Sequence, residues 1–211
     1  MRYAFWLGLG IMGIVGSVGA AELEQKLPPP RLEGGMPLMQ ALNSRHSSRE
    51  LSDRQVPLQV LSDLLWAAGG VNRPETGKRT APTARDWREI DIYVTRADGV
   101  QVYQPESHSL RRISQRDVRA HTGRQEYPAK APVNLVYVAD YARMKEVDDE
   151  QRAFYAATDT GFMAQNVYLY CAAAGLGCVV RGAVDRDALA VALGLGPRQR
   201  ITLAQTIGYP R

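Results

Sequence analysis

From about Glu150 to Ala174 the chain reads as one long helix with apolar residues on almost every side. After Phe154 and Tyr155 come Phe162, Met163, Ala164, Val167, Leu169 and Tyr170, with no continuous polar stripe opposite them. A helix of that kind needs a core or an interface to cover it. The small residues Ala153, Ala157, Gly161, Ala164 and Ala172 let another backbone approach closely, and Gly175 ends the segment. The rest of the chain therefore has to supply layers that wrap this helix.

Those layers are visible in the periodicities. Pro37 opens a short helix through Leu38, Met39, Ala41 and Leu42. Pro57 opens a stronger one, with Leu58, Leu61, Leu64, Leu65 and Ala68 at helical spacing and Gly69-Gly70 at its end. Ile90 to Val94 and Val100 to Tyr103 read as strands joined at an Asp98-Gly99 turn, and Val133 to Ala139 as a buried strand. Cys178-Val179-Val180 and Ile201 to Ile207 are further strands, separated by a helix of Ala188 to Leu193 that Asp185 caps. Residues 69–89 read as a long polar connection, and 108–122 as one or two short, basic, exposed helices. The order is α+β, with one sheet assembled from distant strands and helices around it.

The N-terminus reads as a secretion signal. Arg2 precedes an apolar run from Tyr3 to Val18, followed by Gly19-Ala20-Ala21. That run is short of the ~20 residues that a membrane span needs. The expectation is a signal at 1–21, cleaved near Ala21, a periplasmic or secreted product, and no stable membrane span after cleavage, with an uncleaved anchor as the alternative. Residues 22–36, with Pro28-Pro29-Pro30 and Gly34-Gly35, read as a Pro/Gly-rich linker, leaving 37–211 as the folded domain.

The function classes narrow by exclusion. A formal charge of +4 over 211 residues, with no aromatic-interleaved basic stripe, argues against nucleic acid and for a small anionic ligand. His46, His108 and His121 have no metal-ligand spacing. Cys171 and Cys178 either pair or serve as small core residues. No catalytic triad, carboxylate pair or P-loop is visible. What remains is Arg45-His46-Ser47-Ser48-Arg49, two guanidiniums four residues apart around hydroxyls, a pattern suited to a phosphate.

Three blocks stand out. The first is Arg45 to Arg49. The second, Ala81-Pro82-Thr83-Ala84-Arg85-Asp86-Trp87, runs into the strand at Ile90. The third runs from Asp159-Thr160-Gly161-Phe162-Met163-Ala164-Gln165-Asn166 through Gly175-Leu176-Gly177 to Val180-Arg181-Gly182. In this order and spacing the chain resembles the nitroreductase-like family of FMN-dependent oxidoreductases over roughly residues 37–210. In detail the second and third blocks look most like the azoline-oxidising dehydrogenases of peptide-modifying systems.

The resemblance implies a mostly antiparallel central sheet flanked by helices, a long buried central helix, and a homodimer with FMN at its interface. It implies that Arg45 and Ser47 hold the FMN phosphate beside His46, and that Arg49 approaches the pyrimidine edge. Pro82, Thr83, Ala84 and Arg85 would line the ring or ribityl chain, and the backbone of Val180, Arg181 and Gly182 would pass the flavin N5. Arg211 would stand in for phosphate contacts of a longer C-terminal tail, and Asp86 replaces an Asn common in the family. A donor such as NAD(P)H and a nitro, quinone or unsaturated-ring acceptor are the implied reactants. A family member that binds flavin or another small anion without turnover stays open beside the enzyme.

Overall fold

Apolar residues from two central strands and the two longest helices set the architecture, because they stack into a single layer between sheet and helices. The structure is a computed structural model and describes residues 24–211. The expected signal, residues 1–21, lies outside the described residues. In chain order the elements are β1 (Glu24–Lys26), α1 (Leu38–Ser44), α2 (Leu58–Gly69), β2 (Val71–Arg73) and β3 (Lys78–Arg79). A 3-10 turn at Ala84–Asp86 leads to β4 (Ile90–Arg96), β5 (Gly99–Gln104) and β6 (Ser109–Ser114). A second 3-10 turn, Arg119–Thr122, precedes α3 (Tyr127–Lys130) and β7 (Val133–Asp140). Then come α4 (Asp149–Ala173), β8 (Gly177–Arg181), α5 (Arg186–Leu193) and β9 (Gln199–Gly208).

Seven strands form one sheet in the order β1-β6-β5-β4-β7-β9-β8, and every pairing in it is antiparallel. Successive side chains on a strand point to opposite faces, and β7 shows the consequence. Val133, Leu135, Tyr137 and Ala139 pack into the core beneath α2 and α4, while Val136 and Val138 join the core beneath α5. The sheet is thus buried on both faces, which is why β7 reads as a continuous apolar run. Leu61, Leu64 and Leu65 of α2 are fully buried against this layer, each contributing roughly 2 kcal/mol of burial.

The long helix α4 starts on an Asp148 side chain that accepts from the Gln151 N–H at 2.8 Å, and Gly175, at φ +66°, turns the chain out of it. Its buried residues are Ala156, Asp159, Thr160, Met163, Ala164, Val167, Tyr168 and Cys171. That spacing is one helical stripe, so a single chain buries one face and not the whole circumference. Phe154 and Phe162 stand 64% and 44% exposed on the remainder.

Three expectations are corrected. Residues 24–36 are no detached linker: Glu24–Lys26 pair with β6, Leu27 enters the core, and Arg31 pairs with the buried Asp63 at 2.7 Å. Residues 109–114 form a strand rather than a helix, because Leu110 fills the core while pairing with β5 and β1 fixes the backbone. The stretch 69–89 is ordered by the β2–β3 hairpin and the 3-10 turn. Cys171 and Cys178 are buried thiols without a disulfide, as core residues would be.

Candidate functional site

The helix α1 ends at Arg45, whose ψ of 122° takes the chain out of the helix, and residues 45–51 then run along the edge of β8. The Ser48 N–H donates to the Cys178 carbonyl at 2.9 Å. This approach needs Gly177, since a Cβ there would lie 2.7 Å from Leu51 Cδ2 and 3.0 Å from Ser48. The C-terminus closes the other side: Ser52 N–H donates to the Tyr209 carbonyl at 2.8 Å, and Arg211 Nε donates to the Leu51 carbonyl at 3.0 Å.

Tyr168, from the buried stripe of α4, joins these pieces. Its hydroxyl lies 2.8 Å from Ser47 Oγ and accepts from the Val180 N–H at 2.9 Å, and the Arg45 guanidinium stands 5.1 Å from its ring centroid. A buried tyrosine hydroxyl needs polar partners, and here those partners are two of the expected site segments. Arg45 and Arg49 pair with no acid among the described residues. His46 is held by its own turn, with Nδ1 2.8 Å from the Ser44 carbonyl. Arg45, His46, Ser47, Arg49, Val180 and Arg211 are therefore gathered at one edge of the sheet. Cavities of about 160 Å³ and 330 Å³ lie there, the first lined by His46, Tyr168 and Cys178 and the second by Arg49, Tyr127 and Arg211.

Arg181 offers that edge its backbone only. Its guanidinium turns into the core, bonding Thr206 Oγ1 and the Thr122 carbonyl (2.9 Å), and burial lowers its affinity for the proton. Gly182 follows, exposed, beyond the strand end.

The segment Pro82 to Arg85 is not gathered with them in one chain. It is fastened to α4 by the Ala84 N–H, which donates to Asp159 Oδ2 at 2.8 Å. Asp159 precedes Tyr168 by nine residues, roughly 13 Å along the helix axis. The turn is strained: Arg85, Asp86 and Arg88 all have positive φ, at 51°, 56° and 51°. Asp86 is tied to Arg88, with contacts of 2.9 and 2.7 Å, and the Arg88 guanidinium holds its carboxyl below the usual range. Arg85 stacks 5.3 Å from the Trp87 ring centroid.

Beneath this turn lies a pair that the sequence did not disclose. Glu89 is fully buried, and neither of its oxygens meets a donor among the described residues. It faces Asp159, also buried, and burial together with that second carboxyl raises Glu89 to about 7. Two carboxyls can hydrogen-bond to each other only by sharing a proton. Asp159 and Asn166 of α4 both serve backbone groups, Asp159 the Ala84 N–H and Asn166 the Ala67 carbonyl, to which its Nδ2 donates at 3.0 Å.

Comparisons with known proteins show the family. The model of the Nitroreductase family matches residues 42–209. A Methanocaldococcus jannaschii protein, assigned to the nitroreductases by name alone, is 36% identical over 156 residues, covering 69% of this chain and 78% of its own. A solved structure from Ralstonia eutropha JMP134, likewise assigned by name alone, is 44% identical, covers 92% of each chain and has a TM-score of 0.86. Another, from Desulfovibrio desulfuricans and solved in complex with FMN, is 24% identical, covers 84% of this chain and 88% of its own, and has a TM-score of 0.60. With the matched segment spanning six of the seven strands of the sheet, α2, α4 and the Arg45 edge, the chain belongs to the nitroreductase family.

Proposed function

We propose that the protein is an exported, homodimeric, FMN-dependent oxidoreductase. It would move hydride between a donor such as NAD(P)H and a small nitro, quinone or unsaturated-ring acceptor. The observation that carries this reading is the junction at Tyr168, where Ser47, Val180 and the acid-free guanidinium of Arg45 meet. The donor set fits the cofactor: Arg45 and Ser47 supply charge-assisted and neutral donors for a phosphate dianion, and Arg49 and Arg211 add positive charge beside them. The FMN found in the Desulfovibrio desulfuricans relative supports the same ligand here.

Bound FMN would supply the hydride chemistry. The chain's own part is to place it. Tyr168 fixes the separation of the anion-binding turn from β8, since its one hydroxyl is bound to both. Residues 180–182 bring backbone past the same edge without a bulky side chain at Gly182, and Arg181 braces that backbone by anchoring in the core. The Pro82 to Arg85 turn, some 13 Å away along α4, would serve the flavin from the partner chain. The exposed Leu38, Met39 and Leu42 of α1 and Phe154 and Phe162 of α4 support such a dimer. Export rests on the Tyr3 to Val18 run, and N-terminal sequencing of the processed protein, starting just after Ala21, checks it.

Purified protein titrated with FMN should show flavin absorption bands at about one equivalent per chain. Arg45→Ala should abolish uptake. Tyr168→Phe should weaken it while costing about 1–2 kcal/mol of stability, because the Val180 N–H loses its acceptor. A colourless wild type that ignores FMN defeats the reading. Steady-state turnover with a nicotinamide donor separates an enzyme from a non-catalytic flavin binder.

A further inference from the structure

Beside the strained turn is a second basic cavity, of about 300 Å³, which shares Pro82 and Thr83 with the expected flavin surface and is also lined by Asp86, but whose basic wall the flavin reading does not use. Its wall carries Arg73, Lys78, Arg79 and Arg88. Two of these charges are neutralised: Arg88 by Asp86 at 2.7 Å, and Arg79 by Glu106 at 2.9 Å. The other two are not. Arg73 spends its Nη2 on the Arg79 carbonyl and its Nε on the Asn72 amide oxygen, and neither partner is an acid. Lys78, exposed at the tip of the hairpin, has no acid within ion-pairing distance among the described residues. The cavity therefore holds two uncompensated positive charges.

Arg79 gives a second, independent observation. It is nine-tenths buried, and its Nε meets no acceptor among the described residues. A buried guanidinium N–H without an acceptor is costly, and this under-satisfied guanidinium belongs to a residue that lines the cavity. The hairpin that delivers Arg73, Lys78 and Arg79 is itself pinned in place, with the Thr80 N–H donating to the Gly70 carbonyl at 2.9 Å and Thr80 Oγ1 to the Trp66 carbonyl at 3.0 Å.

We propose that this cavity is a binding site for a phosphate dianion, formed by Arg73, Lys78 and Arg79 and floored by Thr83 of the strained turn. Two unpaired cations match a doubly charged group, with Arg73 Nη1, left free by its other contacts, and the Lys78 ammonium as donors. Since Pro82 and Thr83 line both this cavity and the expected flavin surface, the phosphate belongs to a small molecule brought up to the flavin, as donor or acceptor. That last assignment rests on the flavin reading; the anion site does not.

The test is calorimetric titration of the intact chain with inorganic phosphate and with pyrophosphate at fixed ionic strength. The comparison is with the Arg73→Ala/Lys78→Ala double variant and with Arg45→Ala. Saturable binding that the double variant weakens about tenfold or more, and that Arg45→Ala leaves in place, is the expected result. The exposed single variant Lys78→Glu should lower the affinity in the same direction and keeps the test independent of any folding defect in the double variant. Isotherms that neither set of substitutions in the hairpin alters, or binding that only Arg45→Ala removes, would overturn the proposal. A chain that takes up no flavin yet loses phosphate binding in the double variant would defeat the flavin reading and leave this site standing.

Discussion

Glu89 is the residue at which single-residue chemistry reaches furthest into the behaviour of the protein. Its proton is held up to about pH 7 by burial first and by Asp159 second, against the pull of Arg143. In the unfolded chain the same carboxyl titrates near 4.5. The folded state therefore binds more protons than the unfolded state between those values, and stability falls as pH rises through that window. Glu89→Gln mimics the protonated form at every pH. It should leave the melting temperature nearly unchanged at pH 5 and raise it by about 5–10 °C at pH 8, corresponding to roughly 2–3 kcal/mol. Melting curves of the two proteins that run parallel from pH 5 to pH 8 would show that the pair shares no proton. The sequence could not announce this residue. Glu89 directly precedes an apolar strand, where alternation would aim it with Asp91 and Tyr93, but Arg88 at φ +51° breaks the alternation and turns it under the 3-10 turn. Positive φ on an arginine has no compositional signal, unlike Gly175, where the residue type itself marks the turn.

The elements that could be read from the sequence are those whose burial is periodic. α2 and α5 show a clean apolar face, β7 a continuous run, and Pro37, Pro57, Asp185 and Gly175 mark ends by their own backbone chemistry. The elements that could not be read are those whose state is set by a neighbour. β6 carries Arg111 and Arg112 in its middle, and its strand geometry comes from pairing with β5 and β1. β1 is three exposed residues that exist as a strand only because the β6 edge is there. The Arg45 to Arg49 segment could be read as a candidate anion site because guanidiniums and hydroxyls keep their chemistry in any backbone. What was hidden was its mooring to β8 and to Tyr168, which depends on tertiary contact. Gly177 is where that mooring can be tested. In Gly177→Ala the added Cβ meets Leu51 and Ser48 at 2.7 and 3.0 Å, so the segment must shift off the strand. The variant should lose about 1–3 kcal/mol in denaturant unfolding. Flavin affinity should fall with it, while Gly182→Ala, whose nearest neighbour is 3.9 Å away, should keep its stability. Equal stability of the two variants would show that residues 45–51 are not held by close approach to β8.

At the scale of the whole molecule, the surface left apolar by one chain is its most informative part. The sequence demanded cover for α4 on all sides, and the structure covers one stripe. The uncovered large apolar residues include Phe154 and Phe162 of α4 and Leu38, Met39 and Leu42 of α1. A second copy would satisfy the original demand and would also bring the partner's Pro82 to Arg85 turn toward the Arg45 edge, which nine helical residues separate in a single chain. The two expectations are coupled, so one substitution pair addresses both. Phe154→Glu/Phe162→Glu places charge on that face without touching the core stripe. The wild-type chain should elute at twice its monomer mass in light scattering, and the double variant at the monomer mass with its helix content kept. If the flavin draws on both chains, the monomeric variant should also lose FMN, though Arg45 and Ser47 are intact. A variant that becomes monomeric and still binds FMN at full affinity would place the whole site within one chain. The Pro82 to Arg85 turn would then have no part in holding the cofactor.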